Sequence, residues 1–193
     1  MNSDHKDLEK IEDGLSKKLI YRKTEKENTK IIIDFSKDKQ EFKNFLDVYE
    51  ILLKVNISIP KIYEVNQQQY KIYMQDFGND KFNKIYNEDN LYKLLKLAVD
   101  NIIVIQNETN LKNLKNLKEY TFDDLKIELK EFVTYYIPNN KKSNFPTSKF
   151  YELWESIFYS QKYNMKNFAH KDFEFVNLFF LENYESHLQC GII

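Results

Sequence analysis

His170-Lys171-Asp172-Phe173-Glu174-Phe175-Val176-Asn177-Leu178 is the stretch on which the reading of this chain turns. An Asp stands two residues after a His and five before an Asn. Asp172 is a carboxylate that can take up a proton, and Asn177 is an amide that can help hold a cation. Beyond it, two short apolar segments, residues 178–181 and 188–193, read as a β-hairpin with Asn183-Tyr184-Glu185-Ser186 at its tip.

Working outward, the 193 residues suit one domain, or two small lobes sharing a cleft, with enough chain to bury a core. The 14 Tyr and 15 Phe argue for a globular chain despite its many Lys and Asn residues. Formal net charge is -1, so no electrostatic drive toward nucleic acid or an anionic membrane is expected. The Lys-rich run 112–118 reads as a solvated surface. Cys190 is alone, which excludes a disulfide framework or a cysteine zinc site within one chain. Its apolar surroundings make it a small core residue. No apolar run approaches the roughly 20 residues of a membrane span. The charged residues 1–10 lack the apolar block of a signal peptide, so a cytoplasmic location is expected.

Two β-favouring segments come first, residues 19–23 and 30–35, separated by a polar turn. Phe42, Phe45, Leu46, Tyr49, Leu52 and Leu53 then recur at helical spacing. Residues 62–65 and 70–75 read as two further strands. After Gly78 the pattern turns helical. Leu91, Leu94, Leu95, Ala98, Ile102 and Ile105 mark one helix. Thr121 and Asp124 predict a capping box for a second, whose core face is Leu125, Leu129, Phe132, Val133 and Tyr136. Residues 139–146 read as a loop, and Phe150, Leu153, Trp154, Ile157 and Phe158 as a third helix. Strand, strand, helix, strand, strand is the order of a kinase small lobe. The expected fold is therefore α+β: a β-rich lobe over residues 1–78, then a helical lobe over 79–193 carrying the hairpin.

His170, Asp172 and Asn177 match the catalytic-loop spacing of kinases, in which the Asp orients and deprotonates the attacking hydroxyl and the Asn holds magnesium. Taken with the element order, the chain resembles the aminoglycoside phosphotransferase and choline kinase superfamily. It is most similar there to bacterial kinases that phosphorylate N-acetylmuramate and N-acetylglucosamine at the anomeric hydroxyl. Gly14-Leu15-Ser16-Lys17-Lys18-Leu19-Ile20-Tyr21-Arg22 resembles their nucleotide-loop segment, and Ile31-Ile32-Ile33-Asp34 their next strand. Tyr73-Met74-Gln75-Asp76-Phe77-Gly78 resembles the hinge between lobes, and residues 122–132 a helix of the large lobe. Two positions depart. Asp34 stands where typical kinases carry a phosphate-pairing Lys, a lack the amino-sugar kinases share, and Glu174 stands where these relatives have a His or another polar group.

The resemblance implies a protein-kinase-like two-lobe fold and an ATP- and magnesium-dependent small-molecule kinase. Adenine would lie against Gln75, Asp76 and Phe77, and phosphates under Gly14, Ser16, Lys17 and Lys18. Asp172 would act as base beside His170, and Asn177 as metal ligand. The acceptor would be an amino sugar of cell-wall recycling; no nucleic acid or membrane partner is expected, and the protein would be a monomer. In the family, the strand after the hairpin ends in a metal-binding Asp. Gly191-Ile192-Ile193 stops one residue short of that position, so the helical lobe is expected to be incomplete and the activity weak. The alternative is a catalytically dead, kinase-like remnant or pseudokinase that binds a nucleotide or a partner.

Overall fold

A computed structural model describes residues 8–11, 18–26, 28–109, 114, 117–137, 145–160 and 167–193. Gly14, Ser16 and Lys17, most of the Lys-rich run and most of the predicted loop 139–146 lie outside the described residues. The chain forms two compact units, Met1–Leu117 with Asn167–Ile193, and Lys118–Lys166. The 78/79 boundary lies inside the first unit.

The first unit is built on a five-stranded antiparallel sheet in the order β1-β2-β3-β5-β4. Its strands are β1 (Leu8–Ile11), β2 (Leu19–Glu25), β3 (Asn28–Asp34), β4 (Ile62–Asn66) and β5 (Lys71–Gln75). Ile20, Ile33 and Ile72 stand directly opposite one another across three strands, and Ile31 opposes Met74. Opposed residues share a face, and these form one core with Phe35 and Phe42. Helix α1 (Lys39–Leu52) covers that face. Asp38 starts it, its carboxylate accepting the Glu41 N–H at 3.1 Å. The Phe42 and Phe45 rings then pack on Phe35 with centroids 5.8 and 5.5 Å apart.

A second core joins the end of α1 to α2 (Phe82–Ile85), α3 (Leu91–Glu108) and a hairpin of β6 (Leu178–Phe180) and β7 (Cys190–Ile192). Both hairpin strands are shorter than the apolar runs imply, because Ser186–Gln189 closes into a 3-10 turn. Cys190 is fully buried, as expected of a small core residue. The buried stripe of α3 is Leu94, Leu97, Ala98, Asn101 and Ile105. Leu91, Leu95 and Ile102, read as part of the core face, are instead 36–46% exposed. The difference comes from Asn101, which sits fully buried and donates through Nδ2 to the carbonyls of Leu97 (3.1 Å) and His187 (2.7 Å). That anchor turns the helix by a polar contact which hydrophobic periodicity does not register. The His187 ring donates from Nε2 to the Asn56 carbonyl at 2.8 Å, and Ile192 N–H donates to Ser58 C=O at 2.9 Å. The hairpin is thereby tied to α3 on one side and to the loop after α1 on the other.

In the second unit, Thr121 and Asp124 form the predicted capping box on α4 (Phe122–Glu131). A π-helical turn, Phe132–Tyr136, continues it, followed by α5 (Thr147–Ser160). Phe132 and Tyr136 are 39% and 57% exposed rather than core. Both residues belong to the π-turn itself, whose spacing departs from the 3.6-residue stripe. Phe132 stacks on Phe150 at 5.6 Å, and Phe122 packs on Phe158 at 5.7 Å. No helix of the described residues is long and apolar enough to cross a membrane.

Candidate functional site

The segment of interest runs from buried Phe168 to β6. Lys171 holds φ at 65°, a left-handed conformation costing a non-glycine residue on the order of 1 kcal/mol. Asp172 N–H donates back to His170 C=O at 2.8 Å, so the turn lifts residue 172 to the surface. The Asp172 carbonyl then accepts twice, from Glu174 N–H at 3.0 Å and from Asn177 Nδ2 at 3.0 Å. This cross-link restrains the Asn177 side chain and the backbone of residue 172. One N–H of the Asn177 amide is used on the loop, and Oδ1 has no hydrogen-bond partner among the described residues. The Asp172 carboxylate is exposed and has no hydrogen-bond partner among the described residues.

His170 supports the turn from inside. Its ring meets Phe173 edge-on, with centroids 5.7 Å apart. Burial holds its pKa below the ordinary histidine value, against the opposing pull of the Asp172 charge. It is therefore neutral at pH 7. Its Nδ1 is buried without a hydrogen bond.

The hinge candidates meet the hairpin that follows Asn177. Phe77 packs edge-on against Phe179 at 5.9 Å, and Phe180 N–H donates to Asp80 C=O at 2.8 Å. Gly191, opposite Phe179, lies so close beneath Phe77 that a Cβ there would stand 2.7 Å from the ring. Gln75 donates its N–H to Lys61 C=O at 2.8 Å and accepts Lys61 N–H at its side-chain oxygen at 3.2 Å. Asp76 is 3% exposed and binds Arg22. Burial alone would raise its pKa, but the Arg22 guanidinium, the Gly78 N–H and the Thr29 hydroxyl outweigh that and hold it below the usual carboxylate value.

The structure thus brings Asp172, His170 and Asn177 together and sets Phe77 against the adjoining hairpin. Lys18, half-buried, immediately precedes β2. Asp34 closes the turn after β3 by accepting Ser36 N–H at 2.8 Å and stands 3.6 Å from Lys71 Nζ. Arg22, at the end of the segment that resembles a nucleotide loop, lies on an inner strand flanked by β1 and β3, and its side chain is drawn into the hinge by Asp76. Two surface cavities, of about 430 Å³ between α3 and the hairpin tip and about 480 Å³ over Tyr63 and Tyr73, touch neither Asp172 nor Asn177.

Magnesium finds an incomplete ligand set here. No group of three or more His, Cys, Asp or Glu able to hold a metal occurs among the described residues. Asn177 offers one neutral oxygen, where magnesium in such sites draws on carboxylates and nucleotide phosphates.

No protein-family model and no curated protein matches this sequence. Among solved structures, the streptomycin–ATP–APH(2")-IIa ternary complex, an aminoglycoside phosphotransferase, is similar at 14% identity and a TM-score of 0.44. The match covers 96% of this chain, which spans only 64% of that one.

Proposed function

We propose that this chain is a kinase-like domain that binds ATP and moves its γ-phosphate to a hydroxyl of a small molecule, an amino sugar being the favoured acceptor. The observation that carries this reading is the Asn177 Nδ2 bond to the Asp172 carbonyl at 3.0 Å. It ties Asn177 to the backbone of the strained turn that carries the Asp172 carboxylate, which has no hydrogen-bond partner among the described residues. The three-residue β6 leads from there to a hinge-like segment. In the proposed step Asp172 accepts the acceptor's hydroxyl proton as its oxygen bonds the γ-phosphorus. The bond from that phosphorus to the ADP oxygen breaks, and ADP leaves. Positioning and charge complementarity would supply most of the rate. Magnesium would enter with the nucleotide phosphates, with Asn177 Oδ1 as a protein ligand. A monomer acting in the cytoplasm, where ATP is abundant, belongs to the same reading.

The incomplete metal set favours a second reading, in which the domain binds nucleotide without transferring phosphate. Both are tested by titrating ATP and assaying transfer to an amino-sugar panel, for the wild type and Asp172→Asn. Transfer that falls about 10²–10⁴-fold in the variant, with ATP affinity retained, supports catalysis by Asp172. ATP binding without transfer in the wild type supports the second reading, and absence of ATP binding refutes both.

A further inference from the structure

Arg22 stands in β2 directly opposite Ile31 of β3, which in turn opposes Met74 of β5. Its side chain therefore lies on the sheet face that carries the core, and only 18% of it is exposed. A cation there loses hydration and must be repaid by partners. Nε donates to Asp76 Oδ2 at 2.6 Å, and Nη2 to Oδ1 at 3.1 Å. Nη2 also donates to the Gly78 carbonyl at 2.9 Å, and Nη1 to Asn79 Oδ1 at 2.8 Å. Asp76 in turn accepts Gly78 N–H at 2.9 Å, while Gly78 holds φ at 87°. One guanidinium thus organises the whole bend over residues 76–79.

As a stabilising device this is an odd choice. Two apolar side chains would serve the core as well or better than a buried ion pair. What a planar five-donor fork adds is direction, since it fixes a carboxylate, a carbonyl and an amide in one arrangement. We propose that Arg22 is a positioning residue for nucleotide: it holds the 76–79 bend in the conformation that receives the base. The inference rests on the ATP-binding reading above. Its ligand-side consequence is specific, because the latch touches the base-binding end and not the phosphate end.

The test compares ATP with inorganic tripolyphosphate as probes, on the full chain, for the wild type, Arg22→Met and Arg22→Lys. Hydrogen exchange is followed in parallel. Arg22→Met keeps the aliphatic stem and loses the fork; Arg22→Lys keeps the charge and serves if the Met variant does not fold. Loss of preorganisation is expected to weaken ATP binding about tenfold while tripolyphosphate changes less than about twofold. Exchange should accelerate over residues 76–80 and stay unchanged in α3. Equal weakening of both probes, or faster exchange throughout, would reduce Arg22 to a structural residue and overturn the inference. Unchanged or tighter ATP binding in both variants overturns it as well, and leaves the ATP reading standing. Failure of the wild type to bind ATP removes both.

Discussion

Gly191→Ala tests how tightly the hairpin is fitted under the hinge. The new Cβ would lie 2.7 and 2.8 Å from two carbons of the Phe77 ring and 3.1 Å from Leu181 Cδ1. The first two are closer than carbon atoms approach, so the ring must move. It has little room, being packed at 5.9 Å against Phe179. Gly191 has no positive φ, so alanine strains no backbone. Where space is open, such a change gains about 0.4–1 kcal/mol by restricting the unfolded chain. Overpacking a filled site costs about 1–3 kcal/mol. The steric term wins, leaving a net loss of about 1–2 kcal/mol at mid-range. For a chain of this size that lowers Tm by roughly 2–8 °C in a thermal melt. Phe77→Leu in the same chain vacates the space, and the two changes should couple favourably by about 0.5–3 kcal/mol. An unchanged Tm for Gly191→Ala, or no recovery in the double variant, would refute the close approach.

Asn101→Ala removes two donated hydrogen bonds from a fully buried site and leaves the His187 carbonyl without that donor. The expected cost is about 1–3 kcal/mol, read as a lower urea midpoint at unchanged slope. A midpoint equal to wild type would refute the anchoring role. Burial pushes the Cys190 thiol up to about 12, so it should stay neutral and unlabelled by a maleimide at pH 8. Rapid labelling before unfolding would place it at the surface instead. Asp76 has its carboxyl held below the unfolded value, so its contribution is fully present above about pH 4 and is lost as pH falls through the folded value. Acid titration of Asp76→Asn should show a shallower loss of stability below about pH 4 than wild type, and identical acid limbs would refute it.

Elements with strong periodicity were legible in the sequence. Helix α1 and its flanking strands follow from Phe42, Phe45 and Leu46 at helical spacing between β-branched runs. The capping box on α4 was readable because both partners lie within one turn, Thr121 and Asp124. Strand β1 was not, since Leu8 and Ile11 are its only apolar residues and its order comes from pairing with β2. The four residues of α2 are too few to show a period. At the candidate site, the Asp172–Asn177 pairing is local and its spacing announces it. The Arg22–Asp76 pair spans 54 positions, so no local pattern connects its members. The inward turn of Asn101 was hidden for the same reason, its partner carbonyl lying 86 positions away.

The parallel bridge between Ser58 and Gly191 joins segments far apart along the backbone. By contrast, β2 meets β3, and β4 meets β5, across short turns. Loop closure favours those local ribbons at early times, and the long-range clasp should form after the rate-limiting barrier. Substitutions at Ser58 or Gly191 would then accelerate unfolding while scarcely slowing refolding. The clasp would thus set the lifetime of the assembled unit more than the speed of its formation.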